Sequence, residues 1–210
     1  MKKTIIFLLL PILLLSCDSY YNKIHHEYDD YKKEEKIYLA FQKEAKSLSK
    51  RNKIPTNLLW RKIKGEQQNT TSLYLTFPYL NLDAEVSNEF FIKTDDDIVK
   101  VNFDKIKNTS YHHKDSSQET KIIKEKDKND KEKEIITHTT DSYDREFQKT
   151  KVQYIIPESL QNKILKTNQL SIRFYINTEA YTLKMNQNQL NKTKDFFRQN
   201  SNSQIASIRQ

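Results

Sequence analysis

The chain is nearly devoid of glycine. Gly65 is the single one in 210 residues, beside one Cys, one Trp and four Pro. Gly-rich phosphate loops need several glycines, because the backbone there turns tightly and comes close to the phosphates. The dinucleotide fingerprint, the P-loop, the kinase glycine loop and the G-x-S-x-G nucleophile elbow are therefore excluded. One cysteine, Cys17, excludes an intrachain disulfide, a cysteine-based zinc site and a C-x-x-C redox pair. Apolar residues make up 36% and charged residues 30%, leaner and more charged than an ordinary globular domain. The 12 Tyr and 10 Phe argue against disorder throughout, because each buries a large area. The length suits one ordinary domain or two small ones. A folded core with polar appendages is expected. Lys outnumbers Arg thirty to six, a bias that an AT-rich genome produces as readily as a binding surface does.

What is present is clearest at the start. Lys2 and Lys3 form a positive n-region, and an apolar run follows from Ile5 to Leu15, interrupted by Pro11. That run is too short to span a bilayer comfortably and reads as a signal-peptide core. It ends in Leu14-Leu15-Ser16-Cys17. A Leu three before a Cys, a small residue next to it and the Cys itself resemble the lipobox of bacterial lipoproteins. The resemblance covers about twenty residues. It implies cleavage before Cys17, a diacylglycerol on its sulfur and acylation of its new amine. Two or three acyl chains make a firm anchor where one is marginal. The Lys and Asn excess is similar to lipoproteins of AT-rich bacteria, including the spirochaete type. The bilayer is thus one expected partner, through acylated Cys17. The outer membrane, on either face, is the expected location, with the inner membrane as the alternative. Loss of residues 1–16 removes two lysines, so the formal charge falls from +8 to +6. Lys and Asp or Glu alternate throughout, so a nucleic-acid partner is not expected.

Residues 17–23 read as the lipidated Cys and a tether, and 24–51 as one amphipathic helix. Ile24, Tyr28, Tyr31, Tyr38, Phe41, Ala45 and Leu48 recur at three- and four-residue steps. Asn52 to Pro55 ends it, and a helical turn is expected around Asn57–Ile63. Beyond Gly65 the period changes to two. Leu73, Leu75 and Phe77 alternate with polar neighbours. Val86, Phe90 and Ile92 share one strand face and Val99, Val101 and Phe103 another, and Val152, Tyr154 and Ile156 repeat the two-residue period. Leu170 to Ile176 and Tyr181 to Met185 complete the set. These predict half-buried antiparallel strands. Pro157 and Asn186 are suited to start two short helices, the second by side-chain capping.

The segment 108–146 is polar, with a mirror pattern about Asn129 that sets Ile122 against Ile136 and Ile123 against Ile135. Either it is a long charged hairpin or its centre is disordered between two edge strands; the hairpin is preferred. The expected architecture is therefore α+β. An N-terminal amphipathic helix packs on a mostly antiparallel sheet, with two short C-terminal helices and the charged insertion. A single domain covers 52–200, and 201–210 is a frayed tail.

Catalytic and metal patterns are weak. Adjacent histidines on a strand face opposite ways, so His25-His26 and His112-His113 supply one ligand each at most. His113, Asp115 and His138 would converge only across the hairpin. Asp95-Asp96-Asp97 lacks the alternate ligands, central Gly and final Glu of a calcium loop and reads as an acidic turn. No cofactor and no enzymatic activity are expected. A non-enzymatic protein-binding module at the envelope or cell surface is the leading expectation. Its contacts would be Tyr31 and Tyr38 on the helix and Lys124, Lys126, Lys128 and Lys131 on the hairpin. The alternatives are a periplasmic assembly component docking through the helix stripe, and a small-ligand carrier with a pocket lined by aromatic side chains of the sheet.

Overall fold

The computed structural model describes residues 20–66, 69–95, 97–126 and 132–199, with the backbone alone for 113–126 and 132–145. Residues 1–19, with Cys17 among them, Lys128, Lys131 and the segment 201–210 lie outside the described residues. The elements are β1 (Ile24–Asp29), β2 (Glu34–Ser47), β3 (Lys53–Gly65), β4 (Asn69–Leu80), β5 (Val86–Thr94), β6 (Asp97–Asn102), β7 (Lys105–Lys126), β8 (Glu132–Ile155), α1 (Glu158–Lys166), β9 (Leu170–Ile176), β10 (Glu179–Lys184) and α2 (Gln187–Arg198). The strands form one antiparallel sheet in the order β6-β5-β9-β10-β2-β3-β4-β8-β7, with β1 also on β2. The sheet curls into a half-barrel.

The expected N-terminal helix over 24–51 is overturned: this segment is the hairpin β1–β2. Along β2, Ile37, Leu39, Phe41 and Ala45 are all buried, a period of two that the helical stripe had skipped. Its partner decides the matter. β2 pairs with β3 continuously from Glu34 opposite Gly65 to Lys46 opposite Lys53. The helical turn expected at Asn57–Ile63 is likewise part of β3. Helix-favouring Lys, Glu and Ala yield here to a neighbour that pairs along nearly the whole strand, as strand propensity is mostly a matter of context. An Asp makes the turn: Asp29 Oδ1 accepts the backbone N–H of Lys32 at 3.1 Å, and Lys33 has a φ of 50°.

β2 is the strand on which the sheet converges. One edge belongs to β3. The other is shared by β1, over Glu34 to Leu39, and β10, at Lys46 and Ser47. Lys43 sits where β10 departs. It donates to the Lys184 carbonyl and, at 2.6 Å, to Gln189 Oε1. Gly65 closes β3 opposite Glu34; a Cβ there would stand 2.7 Å from Glu34 Cγ, so a side chain at this position would require Glu34 to shift.

The inner face carries one core. Trp60, Leu58, Phe41, Leu75, Phe77, Phe90, Ile92 and Phe174 are buried in it. Aromatic contacts fix their order: Phe77 with Phe174 at 4.7 Å, and Phe90 stacked on Phe103 at 4.1 Å. The helices supply the lid, through Leu160 and Ile164 of α1 and Leu190, Phe196 and Phe197 of α2. Phe197 meets Trp60 edge to face at 5.3 Å. α2 starts on a capping box: Asn186 Oδ1 accepts from Gln189 N at 2.9 Å, and Gln189 Oε1 accepts from Asn186 N at 3.2 Å.

The hairpin β7–β8 pairs Ile122 with Ile136 and Ile123 with Ile135, the register that the mirror pattern implies. Among the described residues, no helix is long and apolar enough to cross a membrane.

Trp60→Ala is expected to lower stability by about 3–5 kcal/mol, because it opens a cavity beneath α2. Tyr31→Ala, at a fully exposed turn position, is expected to stay within about 0.5 kcal/mol of the parent. Urea midpoints of the two variants check both values.

Candidate functional site

The two faces of β3, β4, β8 and β7 differ sharply in charge. No Asp or Glu occurs in 53–65, 69–80, 105–111 or 147–155. Those four stretches lie side by side in the sheet. The inner residues of β3, β4 and β8 enter the core or a cleft beside it, those of β7 stay exposed, and the outer residues of the four carry Arg61, Lys105, Lys107, Lys149 and Lys151. Register places the groups. Lys107 lies directly opposite Lys151, Lys105 opposite Gln153 and Lys149 opposite Thr109. Like charges facing each other across a ladder are destabilising. Burial lowers the Lys151 pKa, helped by Arg61, Lys149 and Lys107.

Tyr74 organises the centre of this face. Its ring is 5% exposed although it points away from the core. Arg61 and Lys151 cover it, each 4.7 Å from the ring centroid. The ring face attracts both cations, and their aliphatic stems cover apolar surface. Two residues further along the hairpin the face becomes aromatic. Tyr111 stacks on Phe147 at 5.6 Å, and Tyr79 meets Phe147 edge to face at 5.1 Å. Tyr79 and Tyr111 are exposed.

Several cations elsewhere are paired. Lys100 meets Glu89 at 2.6 Å, Lys53 meets Glu44 at 2.8 Å, and Lys163 meets Asp97 at 2.5 Å. Among the described residues, Lys105, Lys107, Lys149 and Lys151 have no carboxylate within ion-pair distance.

On the inner side, a cleft of about 1180 Å³ opens where the ends of β3 and β4 meet α1 and the last turn of α2. Lys62, Lys64, Thr71, Gln161 and Phe197 are among its lining. Lys62 shares the inner face of β3 with Leu58 and Trp60 and is 6% exposed. It donates to the carbonyls of Phe197 at 3.2 Å and Gln199 at 3.3 Å. Lys64 donates to Gln199 at 2.8 Å. Burial, and then the charge of Lys64, push the Lys62 pKa down to about 8, against a smaller opposing pull from Glu35.

The residues expected from sequence to form contacts are scattered. Tyr31 is fully exposed at the β1–β2 turn. Tyr38 is half-buried in the middle of β2, opposite His25. Lys124 and Lys126 lie on β7, opposite Glu134 and Glu132; Lys128 and Lys131 lie outside the described residues. No helix presents Tyr31 and Tyr38 together, so docking through a helical stripe loses its basis. His138 pairs with Thr120, whereas His113 and Asp115 pair with Arg145 and Tyr143. An odd-numbered step separates these positions, so the ladder puts them on opposite faces. The acidic turn is a clamp: the Asp95 carboxylate accepts the backbone N–H groups of Asn168 and Gln169, each at 2.9 Å. The large inner aromatics are packed in the core, and the cleft is mostly polar.

Scans against protein-family models, curated proteins and solved structures find no match to this chain.

The Lys62 pKa lies below its unfolded value, so the unfolded chain holds the extra proton above about pH 8. The stability contributed by this group therefore rises with pH through that window. Relative to Lys62→Met, the parent is expected to gain stability from about pH 7.5 to about pH 9.5. Urea midpoints across that range check it; a constant difference would mean that Lys62 keeps an ordinary pKa.

Proposed function

We propose that this chain is a lipid-anchored, non-enzymatic binding module of the bacterial envelope, which docks an acidic protein partner on the outer face of β3-β4-β8-β7. The observation that carries the docking face is its charge. Four adjacent stretches lack any carboxylate, and Lys107 is held against Lys151 at a cost. An acidic partner relieves that repulsion. The neighbouring Tyr111, Phe147 and Tyr79 add apolar area of the type enriched in interface cores. The lipobox at Leu14-Leu15-Ser16-Cys17 supports the anchor, and the outer membrane is the proposed location. The contact residues move accordingly from the hairpin tip and the turn to Arg61, Lys107, Lys149 and Lys151.

Such docking is steered by charge, and salt screens exposed charges. A photocrosslinking residue in place of Lys107 is expected to give one discrete adduct in growing cells. The same group in place of Lys100, on β6, is expected to give none. Lys149→Glu with Lys151→Glu should abolish the adduct without loss of folded protein. An adduct indifferent to that charge reversal rejects this face. Separately, Cys17→Ser is expected to end palmitate labelling and to release the chain from washed membranes. Continued labelling would reject the anchor.

A further inference from the structure

The cleft at the end of α2 carries three carboxylates on its lining, Glu35, Glu66 and Glu158, yet among the described residues none of them is in ion-pair contact with Lys62 or Lys64. Lys62 and Lys64 are successive inner-face residues of β3, about 7 Å apart along the strand. Their polar contacts are three hydrogen bonds to neutral carbonyls of Phe197 and Gln199. Two ammonium groups have six protons between them, so these bonds use half. Among the described residues, no carboxylate lies within ion-pair distance of either. Glu35 acts on both at longer range, and its Oε1 is already 2.9 Å from His26 Nδ1. Arg198, also on the cleft, is engaged with Asp195 at 3.0 Å. The C-terminal end of α2 supplies about half a negative charge against two full positive ones. Buried charges are otherwise paired. The space beside the two groups is open rather than filled by apolar packing, and Asn69, Thr71, Gln161 and Asn162 add neutral hydrogen-bonding groups to a border that also includes Glu66 and Glu158.

We propose that this cleft binds a small ligand through an oxyanion, a phosphate or carboxylate group, seated between the Lys62 and Lys64 ammonium groups. The anion takes the protons left over from the α2 carbonyls and completes the pairing of both cations. The site is separate from the docking face, which lies on the other side of the same strands. Its variants do not touch Lys107, Lys149 or Lys151.

The experiment is a titration of the full chain, in detergent, with inorganic phosphate against sodium chloride of equal ionic strength, followed by thermal unfolding and by calorimetry. Lys64→Gln is the primary variant, because Lys62 also holds the end of α2 and its loss could affect folding. Lys107→Glu is the control on the opposite face. The expected result is a saturable rise in unfolding temperature with phosphate beyond that with chloride. It should weaken about tenfold in affinity in Lys64→Gln, the loss of one charge-assisted hydrogen bond, and persist in Lys107→Glu. In a second arm, Cys17→Ser protein is mixed with vesicles containing phosphatidylglycerol. Lys64-dependent binding to vesicles without a response to free phosphate also supports the site and assigns the oxyanion to a lipid headgroup. A phosphate effect equal to that of chloride together with no Lys64-dependent vesicle binding, or an effect unchanged by Lys64→Gln, overturns it.

Discussion

The contact between Trp60 and Phe197 closes the molecule. A curled sheet with one apolar face needs a cover, and here the cover is two helices of 9 and 12 residues. Each large side chain they bury contributes about 1.5–3 kcal/mol. Isolated helices of this length are marginal in water, so α1 and α2 exist because the sheet receives them. α2 is held at both ends by lysines from the sheet. Lys43 reaches Gln189 in its capping box, and Lys62 and Lys64 reach the carbonyls beyond its last turn. The helix is thereby positioned by strands β2 and β3, the same two strands that form the centre of the sheet.

This arrangement gives β3 two unlike faces. Inward, Leu58 and Trp60 pack, and the strand then turns cationic at Lys62 and Lys64 as the core thins into the cleft. Outward, Arg61 and Lys151 both lie over the Tyr74 ring. The outer cations are therefore not loose surface charge. Two of them are fixed by a ring beneath them, and the register of β7 and β8 holds two others in line. Pre-positioned side chains lose less entropy when a partner arrives.

Much of this was legible in the residues, and the remainder was not for definable reasons. Alternation at Leu73 to Phe77, Val152 to Ile156 and Leu170 to Ile176 marks real strands. Asn186 announces a cap, and the mirrored isoleucines announce a hairpin register. Residues 24–51 misled because Tyr38, Phe41 and Ala45 satisfy a helical stripe while Ile37, Leu39, Phe41 and Ala45 satisfy a strand. Only the strand at 53–65 distinguishes the two, and Pro55 disguised that strand as a break. The basic face was visible as four runs without Asp or Glu. Nothing in the linear chain says that 53–65 and 147–155 flank the same β4. The cleft was less accessible still. Lys62 and Lys64 look like ordinary surface lysines until the end of α2, more than a hundred residues later, is laid over them.

The shared edge of β2 has a consequence for how the chain reaches this state. Synthesis delivers β1 to β4 first, and these can pair as a meander of local contacts. The rest of β2's edge belongs to β10, whose Thr182 pairs with Lys46, and the cover over β3 is α2. Until those last segments emerge, Trp60, Leu58 and Phe41 have a sheet beneath them and water above. Contacts of such high sequence separation form slowly, and exposed apolar surface during that interval favours association with other chains. The nascent protein is therefore at its most adhesive just before β10 and α2 emerge. A holding factor would cover that interval, and rapid delivery of these two elements would shorten it.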